Sequence, residues 1–300
     1  MNREEKIKLA EDCRSRGKFP PLGEGEIRIL PVKKTIRTED YDTVLYCFDG
    51  TKSSTEGPLF INLHGGGFIK GRAERDTLYC SWIAETFQAH VWDIDYVLAP
   101  EYPFPAAVYQ AFHAIGYAYA HAEEYGFDKD QIFVLGHSAG GSLAAAAMIL
   151  NHHEPCFKVK GLLLDYIPAD QRINPFEKVR MEDLKDERRI SRAKMESDYL
   201  TLYMEPEECV DELASVILAD DETLGSFPET LVITAGLDSL CDEGERFAIR
   251  LAQAGTAVTW KRFVNSPHGF TINRNGEWKE ALQLHRRFLG GLLDAKGETL

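Results

Sequence analysis

No uninterrupted apolar run in the sequence reaches the length of a membrane-spanning helix, so no transmembrane anchor is expected. The start, Met1-Asn2-Arg3-Glu4-Glu5-Lys6, runs into mixed charge with no apolar stretch behind it. A secretory leader needs such a stretch, and the expectation is a soluble, cytoplasmic protein. Paired cysteines are missing as well. Cys13, Cys47, Cys80, Cys156, Cys209 and Cys241 are scattered with no C-x-x-C among them, which argues against a zinc site or a disulfide framework and for free, mostly buried thiols. A basic stripe is also lacking, and net charge is −14. Such a surface repels nucleic acid and anionic lipid, so neither is an expected partner. Internal repeats and low-complexity segments do not occur.

What the chain does have is size and rhythm. Its 300 residues, 44% of them apolar, suffice for one large core. Short apolar runs alternate with longer amphipathic stretches. Leu59–Leu63, Ala89–Asp95, Gln131–Leu135, Gly161–Asp165, Thr230–Thr234 and Ala257–Phe263 read as strands. Arg75–Gln88, Ala106–Glu124, Ala139–Leu150 and Glu277–Leu292 read as helices. Continuous apolar strands separated by helices predict an α/β fold with a mostly parallel sheet covered on both faces. Two segments break the rhythm. Residues 1–45 hold a polar helix, Arg3–Arg16, before Pro20-Pro21, and read as an N-terminal lead contributing to a cap. Residues 168–226 read as a charged helical insertion carrying Met181, Met195, Tyr199, Tyr203 and Met204, and are expected to form a lid. The core then comprises 46–167 and 227–300.

Gly136-His137-Ser138-Ala139-Gly140 fits G-x-S-x-G. Its spacing alone is weak, since about one chain in ten of this size would hold it by chance. Its place is the stronger signal: a strand precedes it and a helix starts at Ala139, as a nucleophile elbow requires. A serine hydroxyl needs a base. Among nine histidines, His152 and His153 lie at a polar helix end, and His113, His121 and His285 fall on helices as solvated or packing residues. His268 instead follows a late strand, where the base arrives in the order Ser, acid, His. Asp238, directly after the strand Thr230–Thr234, is the preferred orienting acid; Asp242 and Glu243, at the start of the next helix, are its rivals. His64-Gly65-Gly66-Gly67-Phe68 follows another strand and reads as an oxyanion-hole loop, having neither a P-loop's Lys-Ser/Thr nor dinucleotide spacing.

Together with Asp95–Ala106, Asp238–Gly244 and His268-Gly269-Phe270, these motifs resemble the hormone-sensitive-lipase-like branch of the α/β-hydrolases, in order from Leu59 to Phe270. That resemblance implies an α/β-hydrolase fold with a helical cap. It also implies a catalytic triad of Ser138, Asp238 and His268, an oxyanion hole from the N–H groups of Gly66, Gly67 and Ala139, and His64 bracing the loop. It implies a cofactor-free, metal-free carboxylesterase acting on short- to medium-chain acyl esters of small molecules. Two departures stand out. His137 replaces the usual Asp beside the nucleophile, which changes the polarity there, and Ser239 replaces the usual Pro after the acid, which is expected to loosen that turn. An amidase or deformylase could use the same triad. A non-catalytic receptor on this fold would be expected to lack a triad member. A homodimer is left open, and the natural substrate is not legible.

Overall fold

The computed structural model describes residues 1–16, 25–38, 41–52, 56–178 and 187–294. Eight strands form one sheet: β1 (Val32–Arg37), β2 (Asp42–Asp49), β3 (Gly57–Leu63), β4 (His90–Asp95), β5 (Phe127–His137), β6 (Gly161–Asp165), β7 (Glu229–Ala235) and β8 (Val258–Phe263). Their spatial order is β1-β2-β4-β3-β5-β6-β7-β8. β1 pairs antiparallel with β2 and β2 with β4; every other neighbour is parallel. A parallel strand needs a crossover; the helices α2 (Glu74–Phe87), α3 (Ala106–Ala120), α4 (Ala122–Tyr125), α5 (Ala139–His153) and α8 (Cys241–Gln253) lie in these connections, and α10 (Trp278–Asp294) follows β8 and packs back on the sheet. α1 (Arg3–Ser15), α6 (Glu187–Tyr203), α7 (Asp221–Gly225) and α9 (Phe270–Asn273) complete the chain.

The apolar runs are continuous because each strand feeds two cores at once. In β3, Leu59, Ile61 and Leu63 join a core with α3, α5 and α8, whereas Phe60 points to a second core with α2 and α10. β5 repeats this alternation: Ile132 and Val134 go one way, Phe133 and Leu135 the other. The two-residue period of a strand makes both faces apolar when both are covered.

Two boundaries differ from the sequence expectation. The 1–45 segment divides. α1 lies against α6, with Lys6 paired to Glu205 at 2.7 Å, but Val32–Arg37 and the start of β2 belong to the sheet. β1 escaped notice because it is an edge strand whose residues, Ile36 apart, are all exposed. The helix expected over Ala106–Glu124 breaks at His121, whose Nδ1 bonds the Tyr117 carbonyl at 2.9 Å and whose ring stacks on Tyr117 at 4.0 Å. Gly126, in the left-handed region at φ +73°, ends the second piece. The 168–226 insertion contributes α6 and α7 to the described structure; Met181 and Pro20-Pro21 lie outside the described residues. The cysteines are only partly buried: Cys13, Cys80 and Cys241 are enclosed, while Cys156 is exposed.

Phe60 is fully buried and stacks on Phe133 with centroids 4.8 Å apart. Truncating Phe60 to Ala is expected to cost about 3–5 kcal/mol of stability. Urea unfolding monitored by circular dichroism measures this, and a loss below about 1 kcal/mol contradicts the described packing.

Candidate active site

The five parallel strands from β3 to β7 point the same way, so the loops after them gather along one edge of the sheet. β8 continues in the same sense beside β7. The chain turns there from β5 into α5 through Ser138, at φ +53° and ψ −122°. That region is strained for a residue with a side chain. The turn is tight because α5 passes directly over β3; a Cβ on Gly140 would overlap the Leu63 carbonyl oxygen. Ser138 N donates to the Asp165 carbonyl at 2.9 Å, which ties the turn to β6. The hydroxyl is thus held at the sheet edge, at the N-terminus of a 15-residue helix whose dipole favours developing negative charge.

The loops after β7 and β8 deliver two partners. Asp238 follows β7, and His268 lies between β8 and α9. His268 Nδ1 lies 2.6 Å from Asp238 Oδ2, and His268 Nε2 lies 2.9 Å from Ser138 Oγ. With the ring proton on Nδ1 facing the carboxylate, Nε2 is left to accept the serine proton. The Asp238 side chain has no solvent exposure. Burial alone would raise its pKa, but His268 and the Arg192 guanidinium outweigh burial and keep the carboxyl below its ordinary value. Tyr166, with its own φ at +41°, sets its ring 5.0 Å from the His268 ring and walls it in.

The structure therefore brings Ser138, His268 and Asp238 together. It sets the rivals of Asp238 elsewhere: Glu243 is buried against Lys178 at 2.6 Å, and Asp242 is exposed. Gly66 and Gly67 line the cavity beside Ser138, and Ala139 opens α5 immediately after it. His64 sits beneath this loop. Its Nδ1 lies 2.7 Å from the Gly65 carbonyl, its ring stacks on Tyr96 at 4.2 Å, and Tyr96 OH donates to the His64 carbonyl at 2.7 Å.

Sequence reasoning missed a buried network behind Ser138. Asp165 Oδ2 accepts from Thr271 Oγ1 at 2.8 Å and from His137 Nδ1 at 3.1 Å, and Oδ1 accepts from His285 Nε2 at 3.1 Å. His285 Nδ1 continues to Tyr79 OH at 3.1 Å, and Tyr166 OH bonds Thr271 at 2.7 Å. Asp165, His137 and His285 are all buried. His285 thus packs as expected but also holds a carboxylate, and His137 turns its polarity inward to the same group. Asp165 ends strand β6, a position that could have marked it; its partners lie 28 and 120 residues away and carried no signal. Ser239 also departs from expectation. Its turn is tied rather than loose, because its hydroxyl donates to Glu196 of α6 at 2.8 Å.

The cavity over Ser138 has a volume of about 810 Å³. Phe68, Leu98 and Ile272 line it from the core, and Met195, Tyr199 and Leu200 from α6. Two residues of the expected Met/Tyr wall therefore face the site, whereas Tyr203 and Met204 pack into the core. Among the described residues, no helix is long and apolar enough to cross a membrane.

A family model described as the alpha/beta hydrolase fold matches residues 60–272. An arylesterase of Saccharolobus solfataricus is 32% identical over 252 residues, covering 82% of this chain and 77% of its own. The carboxylic ester hydrolase LipN of Mycobacterium tuberculosis is 31% identical over 226 residues, covering 71% of this chain and 57% of its own. Among solved structures, the thermostable carboxylesterase EstE1, cloned from a metagenomic library, superposes with a TM-score of 0.78 at 29% identity, over 97% of both chains. The chain belongs to the α/β hydrolase fold family, and its motifs place it in the hormone-sensitive-lipase-like branch.

Replacing Asp165 with Asn removes the charge shared by two imidazoles and a hydroxyl, and is expected to cost about 3–5 kcal/mol at pH 7. Burial alone would raise the Asp165 pKa, but His285 and His137 outweigh it and hold the carboxyl well below its ordinary range. Its contribution is therefore present above the unfolded Asp value near 4 and is lost as the pH falls through the lower folded value. Urea unfolding at pH 7 and at about pH 3 should show the gap between wild type and Asp165→Asn shrinking in acid. A gap that widens in acid would contradict the reading.

Proposed function

We propose that this α/β hydrolase cleaves esters by nucleophilic catalysis through Ser138, His268 and Asp238. The chain is a carboxylic ester hydrolase, and the observation that carries the finer reading is the unbroken path Asp238 Oδ2–His268–Ser138 Oγ at 2.6 and 2.9 Å. His268 Nε2 takes the hydroxyl proton as Ser138 Oγ attacks the ester carbonyl carbon. The buried Asp238 carboxylate holds the imidazole tautomer and balances the imidazolium that forms. Charge builds on the carbonyl oxygen, where the N–H groups of Gly66, Gly67 and Ala139 donate to it. The imidazolium then protonates the alkoxide, the alcohol departs, and an acyl group stays on Ser138. A water deprotonated by His268 attacks that acyl-enzyme, the carboxylic acid leaves, and Ser138 regains its proton.

The cavity volume falls within the usual range for small-molecule sites. Its apolar lining suits short- to medium-chain acyl esters of small molecules, and α6 closes it as a lid. No step calls for a cofactor or a metal.

Ser138→Ala is expected to lower kcat by roughly 10⁴-fold or more if the three residues act as a unit. Aryl esters from acetyl upward, assayed with wild type and this variant, provide the test. Near-normal turnover in the variant would overturn the assignment, and a matched amide series separates ester from amide cleavage.

A further inference from the structure

The turn that carries Asp238 is fastened to the cap by a side-chain hydrogen bond. Ser239, the next residue, donates its hydroxyl to Glu196 of α6, with the two carboxylate oxygens at 2.8 and 3.0 Å. The same carboxylate accepts from Arg192 Nε at 2.6 Å. Arg192, Glu196 and Tyr199 stand at i, i+4 and i+7 on α6 and all line the cavity, so one helical face presents them together.

That face also holds the opposite side of the site. The ring of Tyr199 occupies the space a Cβ on Gly67 would need, and Gly67 is in the left-handed region at φ +62°. One turn further along, Tyr203 stacks on Phe68 with centroids 3.8 Å apart and planes 4° from parallel. Tyr203 also accepts from Phe104 N through its carbonyl at 2.8 Å. The helix α6 thus grips the glycine loop through its aromatic rings and the acid loop through Glu196. From outside, α1 packs against α6 and pairs Lys6 with Glu205 just beyond the end of α6.

We propose that Glu196 is a positioning residue, fixing the turn of the catalytic acid through Ser239 so that seating the cap and aligning Asp238 are one event. A substrate packed against Met195 and Tyr199 steadies α6, and α6 in turn holds Asp238 where it orients His268. The lid then acts on kcat as well as on binding. This rests on the triad reading above, and its failure is separable from the failure of that reading.

The test is steady-state kinetics on an aryl ester as a function of pH, for Ser239→Ala, Glu196→Ala, Glu196→Gln and the double variant Ser239→Ala/Glu196→Ala. Loss of one hydrogen bond to a charged group predicts a fall in kcat of about tenfold for each Ala variant, with KM little changed. Because both remove the same contact, the double variant should be no worse than the poorer single one. Ser239→Thr, which keeps the hydroxyl, should recover most of the kcat that Ser239→Ala loses. Glu196→Gln keeps an acceptor for Ser239 but leaves the Arg192 charge unbalanced beside the Asp238–His268 pair. That charge disfavours the imidazolium, so the acid limb of kcat/KM moves to lower pH, whereas in Ser239→Ala it stays in place. The proposal is overturned if Ser239→Ala retains kcat within about twofold, if the two Ala effects add, or if KM alone rises. Should Glu196→Ala fail to fold, the Ser239 variants decide the matter. If Ser138→Ala is inactive while these variants behave like wild type, the triad stands and only this inference falls.

Discussion

Everything at this site follows from the closeness with which α5 can approach the sheet behind Ser138. A strand that runs straight into a helix crossing over its neighbour leaves no room for side chains in the turn, and the contact between Gly140 and the Leu63 carbonyl shows how little room there is. Ser138 is held at φ +53° as a result, and its hydroxyl meets His268 at the sheet edge. Parallel strands then do the rest. Because β3, β5, β7 and β8 all end at one edge, the glycine loop, Ser138, Asp238 and His268 converge although they come from well-separated stretches of the chain. A strained turn persists only where its surroundings over-determine it. Here those surroundings include the Ser138 N–H bond to β6 and the Asp165 carboxylate immediately below.

Asp165 explains the residue that looked most anomalous in the sequence. A histidine beside the nucleophile suggests a second base or a changed polarity at the reacting centre. Instead, His137 gives its Nδ1 to a buried carboxylate that also takes His285 and Thr271. A buried carboxylate with so many donors is well compensated, and breaking it is costly. The network runs through Thr271 to Tyr166, whose ring flanks His268. The floor under Ser138 and the wall beside the base are therefore one hydrogen-bonded unit, and His137 is part of that scaffold.

The meeting of Ser138, Asp238 and His268 was legible because their positions are set by strand ends, and strands buried on both faces announce themselves as continuous apolar runs. Leu59–Leu63 and Thr230–Thr234 read correctly for that reason, and Gly65–Gly67 and Asp238 came with them. β1 was illegible for the converse reason: an edge strand of Val32-Lys33-Lys34-Thr35-Ile36-Arg37 buries only Ile36, so it carries no apolar run. His121 broke a helix through a side-chain bond to its own preceding turn, a local competition that periodicity does not reveal. Long-range polar pairs were the hardest. Nothing in the pattern near Asp165 points to residue 285, and nothing near Ser239 points to residue 196.

The two halves of the site are consequently anchored in different ways. Ser138 and His268 are braced by the core, through β6, Thr271 and the aromatic wall of Tyr166. The glycine loop and the turn after β7 are braced partly from above, by Tyr199 and Glu196 on a single helix. Core anchoring is rigid because close-packed interiors do not deform continuously. Anchoring through a helix that also closes the pocket is conditional, since the helix is only as well placed as the contacts beneath it. Under the proposed coupling, the insertion sets how well Asp238 is aligned with His268 as well as which substrates fit. Ester cleavage on this framework, under the same proposed coupling, depends on α6 as well as on the sheet that carries Ser138, Asp238 and His268.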